Sequence, residues 1–186
     1  ISLLQELADE QQLTEKYVRL LNGERINTGE DRRVLHQLTR GQLGVDVVED
    51  GSNIGDFYAE QVARIRDFAG RVHSGSVTGS TGKKLDTVVQ IGIGGSDLGP
   101  RALFLALRQV SDLKMKAHFV SNVDPDDAAD IVSLIDPETT LFIIVSKSGT
   151  TQETLANRDL ILEKMKSLGI SGYDPAKHML AVTSRT

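Results

Sequence analysis

Residues 139–153 read Thr-Thr-Leu-Phe-Ile-Ile-Val-Ser-Lys-Ser-Gly-Thr-Thr-Gln-Glu. An apolar run long enough for one buried strand gives way to Ser146, Lys147, Ser148, Gly149, Thr150 and Thr151, and a helix-like segment over residues 152–168 follows. Small hydroxyls, one glycine and one lysine at a strand-to-helix turn suit a phosphate monoester. Backbone N–H groups at a helix start face an anion, the helix dipole favours negative charge there, and hydroxyls add donors. The same residues also read as an ordinary Ser/Thr-rich turn that caps a helix.

A second stretch could carry chemistry. Residues 91–100, Ile-Gly-Ile-Gly-Gly-Ser-Asp-Leu-Gly-Pro, follow another apolar run. Asp97 stands where the third glycine of a dinucleotide fingerprint belongs, so that motif fails. A P-loop fails too, because Gly82-Lys83 is followed by Lys84 and Val77 occupies the first glycine position. Gly94 and Gly95 still allow a close approach of backbone to a ligand, and Ser96 sits at a helix start.

These stretches need a scaffold. From Leu85 onward strands and helices alternate: strands are expected over residues 87–93, 117–121, 140–145 and 178–183, and helices over 99–110, 125–134 and 152–168. Pro100, Pro125, Pro137 and Pro175 punctuate the junctions, and Asp124-Pro125 reads as an N-cap followed by proline at the first helical position. Strands apolar throughout imply a parallel sheet covered by helices on both faces, with ligands at the carboxyl ends of the strands. The loops at Gly95-Ser96 and at residues 146–151 then open on one edge, where one phosphorylated molecule could touch both. Upstream the pattern is helical and polar: Leu3, Leu4 and Leu7, then Leu13, Tyr17, Leu20 and Leu21, ended by Asn22-Gly23. Val62, Ile65, Ala69 and Val72 form a stripe on a longer helix. Residues 70–84, rich in Ser, Thr and Gly, read as a loop. The expected division is a helical extension over 1–80 packing on an α/β domain over 81–186.

Composition narrows the options. The 186 residues are 39% hydrophobic and 25% charged, with net charge -5 and no cysteine. An acidic chain without a basic block argues against a nucleic-acid or anionic-membrane binder. Disulfides, thiolate catalysis and cysteine metal sites are excluded, which fits the cytoplasm. No run approaches the ~18 apolar residues of a membrane span, and no signal-peptide pattern opens the chain. Ile1 is no initiator methionine and the chain ends just after a strand-like run, so a piece of something longer is expected.

The motifs carry a family resemblance. Val-Val-Gln-Ile-Gly-Ile-Gly-Gly-Ser-Asp-Leu-Gly-Pro (88–100) and Ser-Lys-Ser-Gly-Thr-Thr-Gln-Glu-Thr (146–154) resemble the two signatures of the phosphoglucose isomerase family. Residues 22–36, Asn-Gly-Glu-Arg-Ile-Asn-Thr-Gly-Glu-Asp-Arg-Arg-Val-Leu-His, are similar to its N-terminal segment, and Ser-Asn-Val-Asp (121–124) also fits. The resemblance implies a three-layer α/β/α sandwich of the sugar-isomerase (SIS) type and interconversion of glucose 6-phosphate and fructose 6-phosphate. It maps the phosphate loop onto Ser146, Lys147, Ser148, Gly149, Thr150 and Thr151, with the hydroxyls of Ser146, Ser148 and Thr151 as donors. It maps the sugar-contacting pair onto Gly95 and Ser96. One departure is Ser148-Gly149, where many members have Thr-Phe.

Aldose–ketose isomerisation needs a base to move a proton between C2 and C1, a charge stabiliser, and an acid/base pair for ring opening. In the family these roles fall to a glutamate, an arginine, a histidine and a lysine in segments beyond residue 186. The chain has no Gly-Gly-Arg-x-Ser motif, and His36, His73, His118 and His178 match none of these roles, His73 and His178 reading as boundary residues. Glu153 reads as a first-turn helix charge, and Lys147 as electrostatic. The expectation is a chain that binds a sugar phosphate without turning it over, uses no cofactor or metal, and belongs to a homodimeric parent. A SIS-type binding or regulatory module is the alternative reading.

Overall fold

The computed structural model describes residues 1–41, 44–110 and 112–184. These form two compact units, Ile1–Ala69 and Gly70–Thr186. The first contains α1 (Ser2–Glu10), α2 (Leu13–Leu21), a 3-10 turn at His36–Thr39, a two-residue hairpin of β1 (Val48–Glu49) and β2 (Ser52–Asn53), and most of α3 (Ile54–Ser74). Asp50 and Gly51 connect the hairpin at φ 49 and 78, the left-handed pair that tight antiparallel turns demand. Gly23 ends α2 at φ 75, and a Cβ there would lie 2.6 Å from Val47 Cγ1. Gln37, buried, reaches back with its amide to the carbonyls of Leu20 and Leu21, each at 3.4 Å. The apolar stripe of α3 ends in a buried Val72, but Ile65 is exposed. The expected loop from residue 70 begins only after Ser74, since α3 runs to that point.

The second unit alternates as expected: β3 (Thr87–Ile91), α4 (Gly95–Leu107), β4 (Lys116–Val120), α5 (Pro125–Ser133), β5 (Thr140–Val145), α6 (Gln152–Ser167) and β6 (Met179–Val182). The sheet is parallel throughout in the order β4-β3-β5-β6. In this register Val89, Ile91, Val120 and Phe142 share one face, where α5 adds Ala128 and Ile131 and α6 adds Ile161 and Met165 to form the core. Burying Phe142 contributes most there; its truncation to alanine costs about 3–5 kcal/mol in such cores. Phe119 and Gln90 point to the other face, where Phe104 of α4 meets Phe119 with ring centroids 5.8 Å apart. The α/β class and the parallel sheet are as the strand composition required.

One boundary differs in an informative way. α4 starts at Gly95, not at residue 99, so Pro100 lies inside the helix rather than at a junction. A proline there has no N–H to give to the carbonyl four residues back, that of Ser96. Gln90, one strand away, fills the gap: its side-chain amide donates to Ser96 O at 2.9 Å. The helix can therefore begin early because a neighbouring side chain satisfies the carbonyl that proline orphans.

Candidate functional site

The sheet order places β3 in the middle with the chain leaving it first to one side, toward β4, then crossing to the other, toward β5. A crevice opens outside the carboxyl ends of adjacent parallel strands where the winding reverses. The loops at that point are residues 92–96, after β3, and 146–151, after β5. Their proximity is set by Gly92. A Cβ at this buried position would lie 3.1 Å from Ser96 Cβ, 3.2 Å from Ser96 O and 3.3 Å from Val145 O. Glycine thus lets the first turn of α4 and the end of β5 close on each other, bringing Gly95 and Ser96 to the same edge as residues 146–151.

The second loop is built on hydroxyls. Ser146 is buried, its N–H donates to Val182 O at 3.0 Å, and its Oγ accepts from Gly149 N–H at 3.1 Å. Ser146 Oγ and Thr151 Oγ1 are 2.9 Å apart. With Ser146 donating in that pair, the Thr151 proton remains free to face an incoming oxygen. Ser148 Oγ accepts both Thr150 N–H at 3.2 Å and Thr150 Oγ1 at 2.9 Å, leaving its own proton to donate. Gly149 sits at φ 72, a conformation a side-chain-bearing residue enters at a cost, so the Ser-Gly pair goes with this loop shape. Lys147 is exposed, and its carbonyl accepts from Ser184 N–H at 3.2 Å and from the Ser184 hydroxyl. Thr151 is the N-cap of α6, yet makes no side-chain cap hydrogen bond. The positive end of a 16-residue helix is therefore presented to the loop rather than neutralised by its own cap.

Several contributing residues escaped the sequence reading. Asp97, beside Ser96 and only 3% exposed, takes both Nε (3.1 Å) and Nη2 (3.0 Å) of Arg101 on one carboxylate oxygen. Arg101 Nη2 also donates to Ser121 Oγ at 2.9 Å, and the guanidinium lies 5.2 Å over the Phe119 ring. Asn157 of α6, buried, donates to Asn122 O at 2.8 Å. Only the Asp97–Arg101 spacing carried any signal, as a helical i,i+4 pair. Thr154, in the first turn of α6, is also buried and its hydroxyl has no hydrogen-bond partner.

A further polar cluster lies at the opposite, amino-terminal edge of the sheet. His178 stands at the expected boundary, in the turn before β6, and is fully buried there. Its Nδ1 lies 2.9 Å from Thr140 O, which can only accept, and Nε2 lies 2.9 Å from Ser80 N–H, which can only donate. These partners fix a neutral ring protonated on Nδ1. Ser80 Oγ, 3.0 Å from Nε2, accepts from Asp174 N–H at 2.9 Å. Tyr173 packs against His178 with ring centroids 4.7 Å apart and the planes tilted by 46°. Burial, with the nearby carboxylates of Asp136, Asp174 and Glu138 adding to it, pushes the Tyr173 hydroxyl up to about 12. At the exposed rim Lys83 pairs with Glu138 at 2.5 Å and Asp136 at 3.6 Å; the contact with Glu138 raises the lysine and lowers the carboxylate. No group of three or more His, Asp or Glu residues able to hold a metal occurs among the described residues. No helix there is long and apolar enough to cross a membrane.

The chain is similar to known proteins over its whole length. The chain is 57% identical over 186 residues to a glucose-6-phosphate isomerase of Treponema denticola, covering 100% of this chain and 35% of that protein. It is 46% identical over 188 residues to one of Borreliella afzelii, covering 98% and 35%. The crystal structure of a glucose-6-phosphate isomerase from Chlamydia trachomatis superimposes with a TM-score of 0.80 at 36% identity, over 98% of this chain and 34% of that one. The chain thus spans about a third of the length of the curated relatives it matches. A family model described as phosphoglucose isomerase matches residues 1–186. With both glycine- and hydroxyl-bearing loops meeting at the switch point of its sheet, the chain belongs to the phosphoglucose isomerase family.

Proposed function

We propose that this chain is the sugar-phosphate-holding part of a glucose-6-phosphate isomerase. The 6-phosphate of glucose 6-phosphate or fructose 6-phosphate sits at Ser146–Thr151, taking hydroxyl donors from Ser148 and Thr151 and backbone N–H groups from the start of α6. Ser146 braces the loop from below, Lys147 adds positive charge, and Gly95 and Ser96 touch the sugar. The observation that carries this reading is the uncapped start of α6, whose Thr151 hydroxyl is turned toward Ser146 and the loop. The domain over residues 81–186 carries the site, and residues 1–80 form the helical extension.

Moving a proton between C2 and C1 through an enediol demands a base and a donor that stabilises the developing oxyanion. Neither loop offers a carboxylate placed for that step, and His178, held neutral at the far edge of the sheet, is not available for it. The chain alone therefore binds without isomerising; the whole protein works in the cytoplasm, as a homodimer and without a cofactor. Calorimetric titration of this chain tests the reading: glucose 6-phosphate binds and glucose does not. Equal binding of the two would reject the phosphate loop, and normal turnover in a coupled assay would reject the assignment of the chemistry to other segments.

A further inference from the structure

We propose that Arg101 is a positioning residue of this site, acting through Ser96; the inference rests on the sugar-phosphate reading above. The first turn of α4 is poorly held by its own chemistry. It opens on Gly94 at φ 59 and on Gly95, and Pro100 deprives the Ser96 carbonyl of its helical donor. Three outside contacts hold it instead. Gln90 takes the Ser96 carbonyl, Gly92 permits contact with the end of β5, and Arg101 clamps the adjoining Asp97 to the end of β4.

The clamp differs from an ordinary helical ion pair. An exposed i,i+4 pair contributes little, but Asp97 is almost fully buried, so removing its partner leaves an uncompensated charge inside. Arg101 makes three further contacts at once, with Ser121, with the Phe119 carbonyl at 3.5 Å and with the Phe119 ring. One nitrogen, Nη2, bridges Asp97 and Ser121, and Nε adds a second bond to Asp97 that the single nitrogen of a lysine could not supply as well. The other end of the connection matters as much. Ser121 adjoins Asn122, whose carbonyl is held by Asn157 of α6. The helix that presents Ser96 and the helix that follows the phosphate loop are thus both tied to residues 121–122. This short segment acts as a crossbeam that sets the spacing between the two halves of the site.

A binding cycle on the full 186-residue chain tests this. Arg101→Gln should weaken glucose 6-phosphate about tenfold while changing inorganic phosphate, held by the second loop alone, less than twofold. In a Ser96→Ala background the same substitution should change glucose 6-phosphate affinity less than twofold, because a residue acting through Ser96 has nothing left to position. Ser121→Ala, which removes one hydrogen bond and no charge, should give a loss of about threefold that also vanishes in the Ser96→Ala background. It decides the matter if Arg101→Gln fails to fold by circular dichroism. Wild-type affinity in either folded single variant, or an equal loss with and without Ser96, overturns the proposal while leaving the sugar-phosphate reading intact. Failure of the wild-type chain to bind glucose 6-phosphate overturns both.

Discussion

Gly92→Ala is the most direct test of how the two loops are brought together. The new methyl would meet Ser96 Cβ at 3.1 Å, Ser96 O at 3.2 Å and Val145 O at 3.3 Å, two of them backbone oxygens that cannot rotate away. Ordinary contacts begin near 3.4 Å, so the first turn of α4 and the end of β5 must part by a few tenths of an ångström. Overpacking of this kind costs about 1–3 kcal/mol, while the reduced freedom of the unfolded chain returns about 0.4–1 kcal/mol. A net loss of roughly 1–2 kcal/mol corresponds to a fall in Tm of about 2–8 °C for a chain of this size. Gly95→Ala is the internal comparison. A Cβ there meets nothing within 4 Å and its φ is not left-handed, so stability should hold or rise slightly. Its methyl would project into the space assigned to the sugar. Urea denaturation and glucose 6-phosphate titration should therefore separate the variants: Gly92→Ala loses stability and affinity together, Gly95→Ala loses affinity alone. Wild-type stability in Gly92→Ala, or a greater loss in Gly95→Ala, would refute the close-approach argument.

Thr154→Val replaces a buried, unpartnered hydroxyl with a methyl of the same shape and should stabilise the chain by about 1 kcal/mol with unchanged sugar-phosphate affinity; weaker binding in the titration would show that the hydroxyl is used. His178→Ala strands Ser80 N–H and Thr140 O and opens a cavity, a cost of about 3–5 kcal/mol by chemical denaturation. Where that variant remains folded, ligand affinity should survive, since His178 lies at the far edge of the sheet. Because the Tyr173 hydroxyl is raised in the folded state, its contribution to stability is fully present below about pH 10 and is lost as pH climbs through about 12. With the side chain half-buried, the loss is about 1 kcal/mol after allowance for solvent screening. The gap between denaturation midpoints at pH 9 and 11.5 should narrow in Tyr173→Phe without closing, since the raised Lys83 titrates there too, and an unchanged gap in that variant would count against the assignment.

The parallel sheet was legible because its strands are apolar on both faces, and 140–145 in particular is bounded by a proline turn and a hydroxyl-rich loop. The candidate loop after it could be found for the same reason: a strand, a cluster of small hydroxyls and a helix are contiguous in the chain. What escaped depends on partners distant in sequence. Pro100 reads as a boundary, and nothing near it reveals that Gln90 supplies the missing donor. Asp97 and Arg101 look like a solvent-exposed pair until Ser121, 20 residues beyond Arg101, is placed beside them. His178 stands at a junction, but its burial is decided by Ser80, 98 residues earlier. Val62 and Ile65 show the converse, since a clear apolar stripe need not be a buried one.

The proline within α4 has a consequence for how this chain can change. Gln90 and Pro100 are coupled through one carbonyl without either replacing the other's shape: the proline withholds a donor and the glutamine supplies it. Losing Gln90 alone orphans Ser96 O, whereas Pro100→Ala returns a helical donor and makes the glutamine dispensable. The two positions therefore form a ratchet. Once proline stands at 100, the amide at 90 is locked in, and it can be exchanged without orphaning Ser96 O only after position 100 has changed.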